Sequence, residues 1–178
     1  MLYLVAIFAA FLVAVFAAFY YTANTWVDIG SSYLPSEVIA AFLWAQLEQA
    51  EYIMKRRAEI WRQYYELFAD LEWEGRVRRP VIPRECSNNA HLFYLLFPDL
   101  KRRSLFLQRC KNIGIGAVFH YVPLHSSPAG MRYGRTCGDL AITVDLSNRL
   151  VRLPLWVGME QDVVEWIIDE VIRIVKEL

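Results

Sequence analysis

Apolar positions follow three patterns along the chain. From Leu2 to Tyr21 they are nearly continuous. From Ile39 to Leu71 they recur every three to four residues, as at Ile39, Phe42, Leu43 and Leu47 and again at Ile60, Tyr64, Leu67 and Leu71. That period places them on one stripe of a helix, so this stretch predicts one long amphipathic helix or two in succession. Ser36 is the candidate N-cap, Pro35 cannot extend the helix backwards, and Gly75 closes the run. Lys55, Arg56, Arg57, Glu59, Arg62 and Glu66 belong mainly to the solvated face. Beyond Gly75 the pieces are short. Arg76–Arg79 reads as a strand stopped by Pro80, and Ala90–Phe97 as a buried strand. Residues 99–113 read as a helix closed by Gly114, and Ile115–Tyr121 as a second strand. Val122–Thr136 lacks periodicity and contains prolines and glycines, which predicts a loop. Asp139–Asn148 reads as a short helix and Leu150–Leu153 as a third strand. The stripe Val163, Val164, Ile167, Ile168, Val171, Ile172 and Val175 predicts a final helix. The sum is an α+β fold, with a long helix, a small sheet and helices over one face.

Composition divides the chain in two. The hydrophobic fraction of its 178 residues is 56%, yet every Lys, Arg, Asp and Glu falls within residues 28–178. Residues 1–25 form a hydrophobic segment, and residues 26–178 have the charge content of an ordinary globular domain. The uncharged run 2–21 is long enough for a helix to cross a ~30 Å hydrocarbon layer, with Tyr20 and Tyr21 at the interfacial level. A membrane contact through residues 2–21 is therefore one expectation. A helix buried against a core or a partner is the other. Nineteen basic and nineteen acidic residues leave no net charge, which argues against a nucleic-acid binder acting through bulk charge. Three cysteines, Cys86, Cys110 and Cys137, make no CxxC pair and predict free thiols.

Candidate chemistry is sparse. No nucleophile elbow, Walker loop or GxGxxG is present. His120 and His125 flank Tyr121 and Pro123 in HYVPLH, at a strand–loop junction of the kind that carries function. The third histidine, His91, lies in the second apolar run. No metal site is expected, because a third ligand and its support are missing. The sequence GSSY (Gly30–Tyr33) before the Ser36 helix offers hydroxyls and backbone N–H groups to a phosphate, or is a plain loop.

The segments WVDIGSSYLPSEVIAAFLWAQLE, NAHLFYLLF, GIGAVFHYVPLH and SNRLVRLPLW occur here in that order. In this order they resemble the pyridoxal-phosphate-dependent nucleotide-sugar aminotransferases of the DegT/StrS type. GSSYLPSE with AVFHYVPLHSSPAG is most similar to the subgroup making dTDP-4-amino-4,6-dideoxygalactose. The resemblance covers residues 26–178 and implies the small C-terminal α/β domain of a fold type I enzyme with its leading long helix. Residues 1–25 are foreign to it and stand where the cofactor domain is expected, as in a truncated or frame-shifted reading.

The implied activity is amino transfer from glutamate to a dTDP-4-keto-6-deoxy sugar for surface polysaccharide. The implied setting is a cytoplasmic homodimer. Pyridoxal phosphate is held in this family by a lysine upstream of the GSSY-like region. The lysines here, Lys55, Lys101, Lys111 and Lys176, all lie downstream of it. No catalytic residue is therefore assigned, and the chain alone is expected to be inactive. Where many members carry an asparagine that reaches the neighbour's cofactor phosphate, this chain has Leu34, so the resemblance shifts that role to Ser31, Ser32 and Tyr33. His91, His120, Tyr121 and His125 are the implied substrate-binding residues. The alternative is a membrane-tethered interaction domain without chemistry. In either case, loss of the large domain is expected to expose Trp44 and Trp61.

Overall fold

A computed structural model describes residues 36–178, which fall into two compact units, 36–120 with 145–178, and 121–144. The hydrophobic run 2–21 and the phosphate candidates Ser31, Ser32 and Tyr33 lie outside the described residues. Among the described residues no helix is long and apolar enough to cross a membrane.

The larger unit opens on α1 (Glu37–Glu48), where the Ser36 hydroxyl accepts the Ile39 N–H at 3.3 Å as the N-cap. The stripe predicted as one long helix or two in succession forms three helices, interrupted at Gln49 and Phe68, with α2 (Ala50–Leu67) and α3 (Ala69–Trp73) following α1. Gly75, at φ +68°, ends the run in the left-handed conformation that glycine adopts freely. Strand β1 (Phe93–Leu96) and α4 (Leu100–Asn112) follow. The Asp99 carboxylate caps α4 by accepting the Arg102 N–H at 2.8 Å. Strand β2 is only Val118–Phe119, and β3 is Leu150–Leu153. The last helix of this unit, Gln161–Lys176, is labelled α7 below.

The sheet order is β1-β3-β2, with both pairings antiparallel. The last strand in sequence is therefore the central one. Phe93 pairs with Leu153 and Leu95 with Val151, so these four share one face. All are buried in one cluster with Ile60, Tyr64 and Phe68 before the sheet, Phe106 of α4, and the apolar stripe of α7. Six residues of α7 are buried, matching its period in sequence. The Tyr64 hydroxyl reaches across this core to donate to the Pro154 carbonyl at 2.9 Å.

Three expectations need correction. Arg76–Arg79 is not a strand: only Arg78 exchanges backbone hydrogen bonds with Leu96, at 2.8 and 2.9 Å. Pro80 lacks an N–H to continue the ladder, and the flanking arginines are drawn elsewhere. Arg76 bonds the Lys176 carbonyl, and Arg79 pairs with Glu72 at 2.7 Å. The second strand is shorter than Ile115–Tyr121 because the Ala117 N–H turns back to Ile115 O at 2.9 Å.

Residues 122–136, in the smaller unit, are not a plain loop. They hold a 3-10 turn (Leu124–Ser126) and a helix, α5 (Pro128–Tyr133). Ser127 caps α5 and Pro128 takes its first position, where its missing N–H costs nothing. Helix α6 (Ala141–Arg149) then leads into β3.

The exposure of the first stripe is half as expected. No residue of α1 is buried, and Trp44 is 68% exposed. Trp61 instead packs on the core, stacked on Tyr65 at 5.0 Å and edge-on to Phe93 at 5.4 Å. Among the cysteines, Cys110 is buried, and burial, with Glu170 nearby, pushes its thiol up to about 12. Cys86 and Cys137 are exposed. A thiol reagent at neutral pH is expected to modify those two within minutes and Cys110 only on unfolding. Three equally fast thiols in the native chain would contradict this placement.

Candidate functional site

The sheet face opposite the core carries the polar candidates. Tyr94, Arg152 and Val118 stand opposite one another across β1, β3 and β2. His120 follows β2 two residues beyond Val118, at the end of the same row. It is half-buried. Burial first, and the positive charge of Arg152 second, hold its imidazole below the usual range, so it is neutral near pH 7. Arg152 also donates to the Phe119 carbonyl at 3.5 Å. On the other side, the Arg103 guanidinium sits over the Phe119 ring at 5.7 Å, with its Nε donating to Asn148 O at 3.0 Å. The strand end that presents His120 is thus flanked by two arginines, Arg103 and Arg152.

A depressed histidine pKa ties stability to pH. The folded His120 takes up its proton at lower pH than the unfolded one, so its contribution is intact above the ordinary pKa and is lost as pH falls. The melting temperature is expected to drop from pH 7.5 to pH 5. His120→Gln should flatten that part of the profile. Parallel profiles for the two proteins would show that His120 is not the source.

His91 lies at the entry to β1, with its residue exposed. Its N–H donates to Asn89 Oδ1 at 3.0 Å, and its carbonyl accepts from Arg57 of α2. Tyr121 and His125 belong to the smaller unit. Tyr121 is exposed, and His125 is half-buried within the 3-10 turn. That turn is fixed by the buried Ser127. Its hydroxyl donates to Leu124 O at 2.7 Å and accepts the Gly130 N–H at 3.0 Å. His120 and His125, five residues apart in sequence, therefore sit in different compact units. Among the described residues no group of three His, Cys, Asp or Glu side chains is placed to hold a metal.

Sequence reasoning missed Arg152, Arg103 and Arg57. Arg152 had a signal, since it is the one charge inside LVRL, an otherwise apolar run, and a charge on a central strand needs a reason. The other two read as solvated helix positions and had none.

All lysines of the chain are exposed and helical: Lys55 on α2, Lys101 and Lys111 on α4, and Lys176 at the end of α7. A cleft near the C-terminus is lined by Gly75, Arg76, Phe97 and Arg102 among others, and no lysine faces it.

Comparison with known proteins places this architecture. The DegT/DnrJ/EryC1/StrS aminotransferase family model matches residues 12–172, beginning inside the hydrophobic run. An uncharacterized protein of Methanocaldococcus jannaschii is 32% identical over 155 residues, covering 85% of this chain and 39% of that protein. The dTDP-4-dehydro-2,3,6-trideoxy-D-glucose 4-aminotransferase of Saccharopolyspora spinosa is 29% identical over 143 residues, covering 80% of this chain and 35% of the enzyme. Among solved structures, Helicobacter pylori PseC, an aminotransferase involved in the biosynthesis of pseudoaminic acid, superimposes with a TM-score of 0.69. The identity is 21%, over 85% of this chain and 40% of that one. The chain thus spans between a third and two fifths of the length of these relatives.

Proposed function

The chain belongs to the DegT/DnrJ/EryC1/StrS family of pyridoxal-phosphate-dependent sugar aminotransferases, and from that membership we propose that it supplies the carboxy-terminal, substrate-facing part of such an enzyme. The reaction is transfer of an amino group from glutamate to a dTDP-4-keto-6-deoxy sugar. The product is dTDP-4-amino-4,6-dideoxygalactose, a cytoplasmic precursor of surface polysaccharide. The observation that carries this reading is the family match over residues 12–172. The described fold supports it, because the matched motifs fall on β1, β2 and β3 of one small sheet.

The chain's own residues divide the work of recognition. His120, kept neutral by burial and by Arg152, exchanges a hydrogen bond with a sugar hydroxyl without competing for the diphosphate. Arg152, beside it, supplies a cation suited to that diphosphate. His91 in the larger unit, and Tyr121 and His125 in the smaller one, are the further candidates for contact with the sugar nucleotide. Ser31, Ser32 and Tyr33 serve the cofactor phosphate of a neighbouring subunit in a homodimer.

When bound, pyridoxal phosphate supplies an electron sink that makes amine transfer possible. Holding it covalently needs a lysine amine in a sheltered site. Every lysine here is exposed on a helix and none faces the described cleft, so these residues do not fit that role. The covalent hold falls to polypeptide outside this chain, and no step through the cofactor is assigned to it.

Two measurements test this reading. The purified chain with pyridoxal phosphate, glutamate and the dTDP-4-keto sugar should form no amino sugar. By calorimetry it should still bind dTDP, with affinity falling about tenfold in Arg152→Ala, the loss of one charged contact to the diphosphate. Turnover by the chain alone, or no binding of dTDP, would overturn the proposal.

A further inference from the structure

The entry to β1 is more tightly constrained than the core requires. Among the described residues Ala90 is the only non-glycine at positive φ, +51°, and its side chain is 1% exposed. For an L-residue this conformation is unfavourable and persists only where the surroundings impose it. Here they do so from three sides. Asn88 Oδ1 accepts the Ala90 N–H at 2.9 Å, and Asn89 Oδ1 accepts the His91 N–H at 3.0 Å. From α2, thirty-four residues earlier, Arg57 Nη2 donates to the His91 carbonyl. The guanidinium is drawn in far enough that its Nε is shielded from solvent without a hydrogen-bond partner among the described residues. The residue these bonds present, His91, is exposed, although Ala90 before it and Phe93 after it are both buried. A plain entry to the strand would need neither the left-handed alanine nor the arginine.

We propose that Arg57 is a positioning residue, which by tying the His91 carbonyl to α2 holds the 88–91 turn and presents the His91 imidazole to the sugar nucleotide in one fixed pose. This rests on the reading above that the chain binds a dTDP-sugar, and it adds the residue that fixes one of its contacts. Arg57 itself touches no substrate. Its carbonyl bond is worth most when the ligand arrives, because an imidazole already oriented loses less freedom on binding.

The test uses the full chain and dTDP as probe. The ring resonance of His91, assigned by its loss in His91→Gln, is followed through a dTDP titration, with calorimetry in parallel. In the wild type the resonance should shift and saturate with the calorimetric Kd. In Arg57→Ala the His91 signal should broaden and dTDP affinity fall about tenfold. Arg57→Lys retains one N–H donor and should recover affinity to within about threefold. A merely structural arginine would lower the melting temperature of Arg57→Ala and leave the dTDP affinity unchanged, which overturns the proposal. A wild-type His91 signal indifferent to dTDP, while calorimetry records binding, also overturns it and leaves the function standing. No binding at all overturns both. Should Arg57→Ala fail to fold, Asn89→Ala loosens the same turn from its exposed side and carries the same comparison.

Discussion

Phe93→Ala is expected to destabilise the larger unit by about 3–5 kcal/mol, the usual cost of emptying a buried aromatic site. Most single domains have only ~5–15 kcal/mol in total, so the variant should be largely unfolded at modest urea. Phe93 is fully buried and is the ring on which the helical and sheet halves of the core meet. Its centroid lies 5.3 Å from Tyr64, 5.4 Å from Trp61 and 5.9 Å from Phe68, the first two in edge-to-face geometry. No single neighbour can fill the gap, because Tyr64 is tethered through its hydroxyl to Pro154 O. Urea unfolding followed by tryptophan fluorescence measures the loss, and Trp61 reports the contact directly. A midpoint within ~0.5 M urea of the wild type would be incompatible with this core, since 3 kcal/mol at an ordinary slope shifts it by more than 1 M.

Gly130→Ala should act in the smaller unit with comparable force. A Cβ at this position would lie 1.6 Å from Leu124 O and 2.6 Å from Leu124 C, both backbone atoms that cannot rotate away. The Leu124 carbonyl must move. That breaks the Ser127 hydroxyl bond at 2.7 Å and the Ser127 N–H bond at 3.2 Å that close the 3-10 turn. The cost is on the order of 3 kcal/mol, at the upper end for overpacking, and it falls on the turn that contains His125. Hydrogen exchange at the amides of residues 126, 127 and 129–131 should accelerate at least a hundredfold, the rate equivalent of that energy. Ser127→Ala, which removes the two hydroxyl bonds without a clash, should show a smaller change at the same amides. If Gly130→Ala exchanges no faster than Ser127→Ala, the close approach is not real.

What could be read ahead of the fold follows from how far each signal reaches along the chain. Helix α7 was legible because its apolar residues share one 3.6-residue period: of the seven in the stripe five are buried, Val163 and Ile172 are partly so, and Ile174 joins the buried set. Ser36, Gly75 and Gly114 marked helix ends correctly because caps act within three residues of the chain. The interruptions at Gln49 and Phe68 were not legible, since neither residue type announces a break. Helix α5 carried a local signal, Ser127 followed by Pro128, that its prolines and glycines disguised as loop. The polar contacts around the candidate site were the hardest to foresee. Arg57 to His91 spans thirty-four residues and Arg103 to Asn148 forty-five. Nothing in the composition of either segment specifies such pairings. The same applies to Trp61, whose place against Phe93 depends on β1 arriving beside α2.

The strand order has a consequence for how the molecule is made. Val118 and Phe119 leave the ribosome well before Leu150, and neither strand that precedes β3 is bonded to the other. Until residues 150–153 emerge, β2 and the edge of β1 not bridged by Arg78 wait in the nascent chain with open backbone groups, in the state most open to mispairing with a second copy. Synthesis stalled at residue 149 would deliver helices and turns with no sheet to join them. The wedge that arrives last therefore converts a set of local pieces into a cooperative body.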